Sequence, residues 1–111
     1  MKYGVKPITY LCSQVVSVTI GEPQRNPRVI LGNLEEIDRH RAVVLLDTPV
    51  SKGSQVVVKA NETALHGQAA HWSFVPTLGY FISVRLSDHS LWSLDRLRPQ
   101  HLLEIPDCAA A

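Results

Sequence analysis

Residues 41–59, RAVVLLDTPVSKGSQVVVK, contain two short apolar runs separated by a polar stretch. Both runs are rich in valine and leucine, and β-branched residues such as valine are enriched in β-strands. Between the runs, Pro49 and Gly53 are residue types that commonly form turns. The stretch therefore predicts two β-strands, over residues 41–46 and 55–59, joined by a loop.

The segments on either side repeat this pattern of short apolar runs and turns. In residues 13–20, Val16, Val18 and Ile20 alternate with other residues, as expected of a strand with one buried face. Residues 21–27, GEPQRNP, interrupt the alternation with turn-forming residues. The whole chain thus predicts about six strands, over residues 13–20, 28–37, 41–46, 55–59, 64–75 and 78–86. Short strands joined by Gly and Pro turns favour an antiparallel barrel or sandwich.

The hydrophobic period changes in the last quarter of the chain. Leu91, Leu94 and Leu97 lie three residues apart, a spacing typical of one face of a helix. Ser90 precedes them and is a suitable N-cap residue. We therefore expect a short C-terminal helix over residues 90–104, packed by its apolar residues against one end of the barrel.

The composition is that of one ordinary globular domain. A chain of 111 residues has room for a single core, and we expect one domain over residues 1–111. With 45% hydrophobic and 19% charged residues, the composition is far from that of disordered proteins. Eleven Lys and Arg against ten Asp and Glu leave a formal net charge of +1, which attracts neither nucleic acid nor anionic lipid strongly. Any anion site must therefore be a local patch.

Cysteine content and hydropathy favour a cytoplasmic protein. Cys12 and Cys108 lie near opposite ends of the chain and form no disulfide framework, so we expect reduced thiols. The apolar stretch at residues 8–12 is too short for a signal peptide, and no segment has the ~20 apolar residues of a membrane span. Residues 108–111, CAAA, match the prenylation pattern, but no polybasic run precedes them. We therefore expect no membrane attachment.

The motifs indicate neither catalysis nor metal binding. His66 and His71 are the closest pair of histidines, and their odd spacing places them on opposite faces of a strand. The run Asp88-His89-Ser90 has the residue types of a hydrolytic triad, but consecutive side chains diverge, so it predicts a turn. No Gly-rich phosphate loop or nucleophile motif occurs. We therefore expect a protein that is not an enzyme, with no catalytic residue, no metal and no cofactor.

The order of strands and turns between Val29 and Leu86 resembles that of the PilZ domain family. The resemblance rests on the segment GNLEEIDRHR, the apolar strand after it, a turn with Pro and Gly, a β-branched strand and a final aromatic strand, at residues 32–41, 42–46, 47–53, 55–59 and 78–86. It implies a six-stranded Greek-key barrel with a trailing helix, which in many bacterial proteins binds cyclic di-GMP. The expected fold is therefore all-β, with about six antiparallel strands in a PilZ-like Greek-key barrel and a short C-terminal helix.

The positions that bind nucleotide in PilZ domains are altered in this chain. Family members have an Arg-x-x-x-Arg pair ahead of the barrel, and its nearest equivalent here is Arg25 and Arg28, one residue closer together. In the family's Asp/Asn-x-Ser-x-x-Gly turn, the resemblance places Glu36, Asp38 and Arg41 at the Asp/Asn, Ser and Gly positions. A carboxylate repels a bound phosphate. We therefore expect the usual cyclic di-GMP site to be lost or rebuilt.

A local group of arginines leaves room for an anionic ligand. Arg39 and Arg41 lie two residues apart, on one face of an extended segment, and Arg25 and Arg28 precede them. Four guanidiniums near one end of a barrel would suit a phosphate or an acidic protein. The alternative is a set of surface ion pairs with neighbouring carboxylates, which contribute little to stability. The candidate ligand-binding residues are Arg25, Arg28, Glu36, Asp38, Arg39 and Arg41.

Three functions are compatible with these patterns. The first, which the sequence favours, is a signalling or adaptor module that binds a protein partner and has a degenerate cyclic di-GMP site. The second is a cyclic dinucleotide receptor with a rearranged arginine site. The third is a small nucleic-acid-binding barrel, which the low net charge disfavours. We expect the aromatic residues Trp72, Phe74, Tyr80 and Phe81 at the core and rim of the barrel and not as a platform for stacked bases.

Overall fold

The strands of the computed structural model follow the apolar runs of the sequence closely. The structure describes residues 8–105. Its strands are β1 (Thr9–Ile20), β2 (Arg28–Ile37), β3 (Arg41–Leu46), β4 (Gln55–Ala60), β5 (Thr63–Val75), β6 (Gly79–Leu86) and β7 (Leu103–Ile105). The sequence predicted both ends of β2 and of β3. For β1, β4, β5 and β6 it predicted one of the two ends. No helix within residues 8–105 is long and apolar enough to cross a membrane.

Six of the strands form a closed antiparallel barrel. Around the barrel the order is β1, β2, β3, β6, β5 and β4, and β4 pairs again with β1, with Val58 opposite Val18. The first three strands are linked by hairpins, and β4 returns to lie beside β1, which is the Greek-key arrangement. The expected all-β class and six-stranded antiparallel barrel are therefore confirmed, and the architecture is consistent with a PilZ-like barrel.

Branched aliphatic side chains fill the barrel. Each strand directs alternate residues inward, as Val16 and Val18 do on β1, and the inward residues are buried. Leu34 from β2 and Leu65 from β5 meet them in the centre with no exposed surface. Burying each such side chain contributes about 2 kcal/mol. Val50, in the loop between β3 and β4, belongs to the same cluster and joins that loop to the core.

The predicted helix over residues 90–104 does not form, and this prediction was wrong. A single 3₁₀ turn, Asp88–Ser90, is the only helical segment within residues 8–105. The hydroxyl of Ser90 accepts a hydrogen bond from the N–H of His66 at 3.0 Å, so it does not cap a helix. The N–H of Trp92 donates to the carbonyl of Arg39 at 3.0 Å. Bonds to distant parts of the chain therefore replace most of the local bonds that a helix needs.

Residues 91–102 instead form an irregular segment packed against the barrel. Trp92 and Leu97 belong to the buried core, and the indole N–H of Trp92 donates to the carbonyl of Leu97 at 2.9 Å. The chain then enters β7, which pairs antiparallel with residues 9–11 of β1. The expected packing of this segment against the barrel occurs, but an irregular chain and a short strand provide it.

Cys12 lies among the core residues of β1. It is only 8% exposed, and its thiol donates to the carbonyl of Leu34 at 3.5 Å. Burial, followed by the nearby carboxylates of Glu35 and Glu36, raises the pKa of Cys12 from 9.0 to about 11. Cys12 is a free thiol. Cys108 and the rest of the prenylation match lie outside the described residues.

Gly67 marks a close approach of β5 to β6. A Cβ atom at this position would collide with the carbonyl oxygen of Arg85 and would lie 2.9 Å from a methyl carbon of Val84. Because a paired backbone cannot move aside, we expect Gly67→Ala to lower the free energy of unfolding by about 2 kcal/mol. Chemical denaturation followed by circular dichroism measures this loss. The control, Gln68→Ala, changes an exposed neighbour and should cost less than about 0.5 kcal/mol. Equal midpoints for the two variants would contradict the close approach.

The raised pKa of Cys12 predicts an unreactive thiol. In a Cys108→Ser background, we expect the folded protein to resist alkylation near pH 8 and the unfolded protein to react, because only the thiolate is a nucleophile. The folded pKa lies above the unfolded one, so this group's contribution to stability is full below pH 9.0 and is lost as the pH rises to about 11. Cys12→Ala should remove that component of the pH dependence. Alkylation at the same rate in the folded and unfolded protein would show that the thiol is not protected.

Candidate functional site

The hairpin turn between β2 and β3, with the strand residues next to it, holds four of the six candidate residues. They are Glu36, Asp38, Arg39 and Arg41. The N–H of Asp38 donates to the carbonyl of Arg41 at 2.8 Å, and one carboxylate oxygen of Asp38 accepts the N–H of His40 at 2.8 Å. Such side-chain bonds to the backbone two residues on are typical of Asp in turns. The Glu36 carboxylate lies 3.6 Å from the Arg41 guanidinium. Both carboxylates therefore have partners within the turn, whereas Arg39 is exposed.

Backbone bonds attach this turn firmly to the rest of the barrel. The carbonyl of His40 accepts the N–H of Leu86 at 2.8 Å, next to the carbonyl of Arg39 that accepts from Trp92. The turn is thus tied to the end of β6 and to the segment after it. Arg39 and Arg41 are displayed from a fixed backbone, as a recognition site requires.

Arg25 and Arg28 lie at the opposite end of β2. Arg25, in the turn between β1 and β2, forms an exposed ion pair with Glu22 at 3.2 Å, and Arg28 begins β2 opposite Ile20. The ten residues of β2 at ~3.3 Å each place about 30 Å between Arg28 and the next turn. The expectation of four guanidiniums near one end of the barrel was therefore wrong. The structure keeps the two arginine pairs apart.

A groove on the outer surface brings together polar residues that are distant in the sequence. Its volume is about 570 Å³, and it runs across β4, β5 and β6 to the 3₁₀ turn. Arg85, at the edge of the groove, lies directly opposite Arg41 in the pairing of β3 with β6. Arg41 therefore lies next to the groove without lining it. The polar residues that line the groove are Gln55, His66, Gln68, Arg85, Ser87, Asp88 and His89.

The groove brings the Arg85 guanidinium and two imidazoles together with one carboxylate, that of Asp88. Like charges in directly opposite positions, as at Arg41 and Arg85, destabilise a sheet, and the Glu36 carboxylate supplies a counter-charge for Arg41 only. Within residues 8–105, Arg85 forms no ion pair, and the rings of His66 and His89 lie 6.3 Å apart at the same groove. Guanidinium groups are well suited to bind phosphate or carboxylate. No local motif indicates Arg85, because it approaches Arg41 only through the pairing of β3 with β6.

An apolar surface lies on the outer face of β1 and β2. Val15, Val29 and Leu31, which we call the aliphatic strip, are 63%, 63% and 74% exposed. In the register, Leu31 lies opposite Ser17 and Val29 lies opposite Thr19, while the exposed Lys59 of β4 lies on the other side of Ser17. Contiguous exposed apolar patches mark contact surfaces more often than isolated apolar residues do. The strip is therefore a candidate protein-binding surface.

Three aromatic residues form a cluster near the far end of the β5–β6 hairpin. The ring of Tyr80 lies 5.1 Å from that of Trp72 and 4.9 Å from that of Phe74, measured between ring centroids. Trp72 is 43% exposed and Phe74 is 54% exposed, whereas Tyr80 and Phe81 are half-buried. The cluster thus lies at the rim of the barrel with two of its rings partly in solvent.

The segment that resembles a hydrolytic triad forms a turn, as the sequence predicted. Asp88, His89 and Ser90 make up the 3₁₀ turn, and the hydroxyl of Ser90 is buried against β5. Within the part of the chain that the structure describes, no three His, Cys, Asp or Glu side chains lie close enough to hold a metal ion.

Comparison with known proteins identifies a similar fold but no family. No family model and no curated protein matches the sequence. The fold is similar to that of the Bacillus subtilis inhibitor of motility (MotI/DgrA), with a TM-score of 0.52 and 13% sequence identity. The match covers 86% of this chain and 47% of that protein, so this chain spans about half its length. At this identity, the likeness shows that the two proteins share a fold.

Proposed function

We propose that this chain is a PilZ-like signalling or adaptor module that acts without catalysis by binding a protein partner. The aliphatic strip is the observation that carries the proposal. The fold similarity to a protein named an inhibitor of motility supports a regulatory role. The module would present the strip to its partner from a rigid barrel surface.

The energetics of the strip favour a protein as the occupant. Roughly two thirds of each of the three side chains is exposed, so covering them contributes on the order of 4 kcal/mol before the costs of association. The neighbouring Ser17 and Thr19 are short and uncharged, which leaves a flat surface from which a partner can exclude water. Interface centres are depleted of charge in the same way. Nucleotides and nucleic acids would instead require cations within the strip, whereas Arg28 and Lys59 lie beside it.

Site-specific photo-crosslinking in cells of the natural host tests the proposal. A photo-reactive amino acid in place of Leu31 should give a discrete adduct with another protein. The same substitution at Glu62, exposed in the turn between β4 and β5, is the matched control and should give none. Val29→Lys should remove the Leu31 adduct without changing the circular dichroism spectrum, because it places a charge inside the interface. No adduct at Leu31, or equal adducts at both positions, would refute the proposal.

A cyclic dinucleotide receptor is the second candidate, and the groove beside Arg41 is the observation that favours it. Arg85 and the two histidines at the groove could contact a phosphate. However, Arg28 lies about 30 Å from the turn that holds Arg41 and cannot join the same small site. The Glu36 carboxylate also engages the Arg41 guanidinium. The arginine pair that would grip two phosphates is therefore incomplete, which places this function second.

Isothermal titration with cyclic di-GMP separates the two candidates. We expect no saturable binding at micromolar ligand, a range in which a specific site contributes about 8 kcal/mol. The titration should be made at two salt concentrations, because contacts between arginine and phosphate weaken with screening. A stoichiometric isotherm that Arg85→Ala abolishes and Arg28→Ala preserves would favour the receptor and place its ligand in the groove.

A further inference from the structure

β5 is longer than its neighbour β4, so part of one edge of β5 has no strand beside it. β4 pairs with residues 63–68 of β5. In the loop before β4, the N–H of Gly53 donates to the carbonyl of Ala69 at 2.7 Å and the carbonyl of Ser54 accepts the N–H of Ala69 at 2.9 Å, so Ala69 is also paired. On its other side, β5 stays paired with β6 as far as Val75. Within the described chain, residues 70–75 therefore have one unpaired side, which we call the β5 edge.

The hydrogen bonds of β6 show which backbone groups face the β5 edge. Leu86 donates its N–H to the carbonyl of His40, on the side away from β5. Backbone groups alternate between the two sides of a strand, so the odd-numbered residues of β6 face β5. After the bulge in β5, its odd-numbered residues lie opposite them in the register. The N–H and C=O groups of Trp72 and Phe74 therefore point away from β6, towards the unpaired side.

The β5 edge lacks the protection that other free edges of this barrel have. The start of β2, where β3 does not reach, follows Pro27 and begins with Arg28. β7 is only three residues long and contains Glu104. Proline, charge and short length are the usual means by which proteins prevent a free edge from pairing. Residues 70–75, AHWSFV, contain no proline, lysine, arginine or carboxylate.

We propose that a second copy of this chain pairs with the β5 edge in a twofold-symmetric antiparallel dimer, with Ser73 at the axis. In this register, Trp72 of each copy lies opposite Phe74 of the other. Every outward N–H and C=O of these residues then has a partner, giving about four hydrogen bonds between the copies. A register shifted towards the turn would place Pro76, which has no N–H, opposite Trp72 and would remove one of these bonds. The edge is thus self-complementary in the proposed register, as a twofold interface requires.

The side chains of the β5 edge support a second copy as the occupant. Trp72 and Phe74 share a face with Tyr80, so pairing would bring the two aromatic clusters side by side and cover their exposed rings. The edge carries no formal charge and the chain has a net charge of only +1, so two copies approach with little repulsion. The contact is small, which predicts a weak dimer. This surface is separate from the aliphatic strip, so the proposal does not rest on the proposed function.

Sedimentation equilibrium of the full chain from about 5 to about 500 μM tests the dimer. The weight-average mass should rise from 12.3 kDa towards twice that value. Ser73→Lys brings two ammonium groups together at the axis and should raise Kd at least about tenfold. Gln24→Lys, with the same charge change in an exposed turn, should leave Kd unchanged. A constant mass of 12.3 kDa would overturn the proposal. The remaining occupant of the β5 edge would then be a strand of another protein.

Disulfide trapping tests the position of the axis. Two residues opposite each other at a non-hydrogen-bonded position have Cα atoms about 4.5 Å apart, within disulfide range. In a Cys108→Ser background, Ser73→Cys should therefore form a disulfide-linked dimer in air, where oxygen accepts the electrons and protons of the two thiols. Gln24→Cys is the control and should remain monomeric. Equal trapping of the two variants would refute pairing at the β5 edge. A dimer that Val29→Lys abolishes and Ser73→Lys preserves would also refute it, and would place the interface at the aliphatic strip.

Discussion

The pairing of β4 with β1 is the constraint on which the rest of the structure depends. Residues 17–20 pair with residues 56–59, which closes the sheet into a barrel and removes two free edges. Closure requires the strands to be tilted and staggered, so the ends of neighbouring strands lie at different heights along the barrel axis. β5, with 13 residues beside a β4 of six, therefore extends past its neighbour. The aromatic cluster is partly in solvent for the same reason.

Alternation and turn chemistry were sufficient to predict the strands, but they could not predict the segment after β6. Both ends of β2 and β3 follow from the sequence because each apolar run ends where turn residues begin. Three-residue leucine spacing does not determine a helix in the same way. Trp92 and Leu97 reach the core from an irregular backbone, and their segment is held by Arg39 and His66, which are distant in sequence. Tertiary bonds of this kind leave no periodic signal.

The candidate site depends on strand pairing, and nearness in sequence is a poor guide to it. Arg25 and Arg41 belong to one short segment of the chain, but an extended strand between them carries them to opposite ends of the barrel. Arg85 is far from Arg41 in sequence and lies directly opposite it across two paired strands. The strip has a partial signal, because Val29 and Leu31 are spaced by two. Sequence alone does not show which face of β2 is buried, because the other face has Ile30 and Leu34.

On the outer face of β1 and β2, the side chains that folding requires differ from those that contact with a partner would require. The core is already complete without the strip, since Val18 and Leu34 have no exposed surface. Threonine and valine are both favoured in strands, and Thr19 occupies an outward position opposite Val29. A polar β-branched residue at position 29 would therefore satisfy the strand while removing apolar surface from water. Stability does not require valine at this position, and contact with another surface gives an apolar side chain there a physical role.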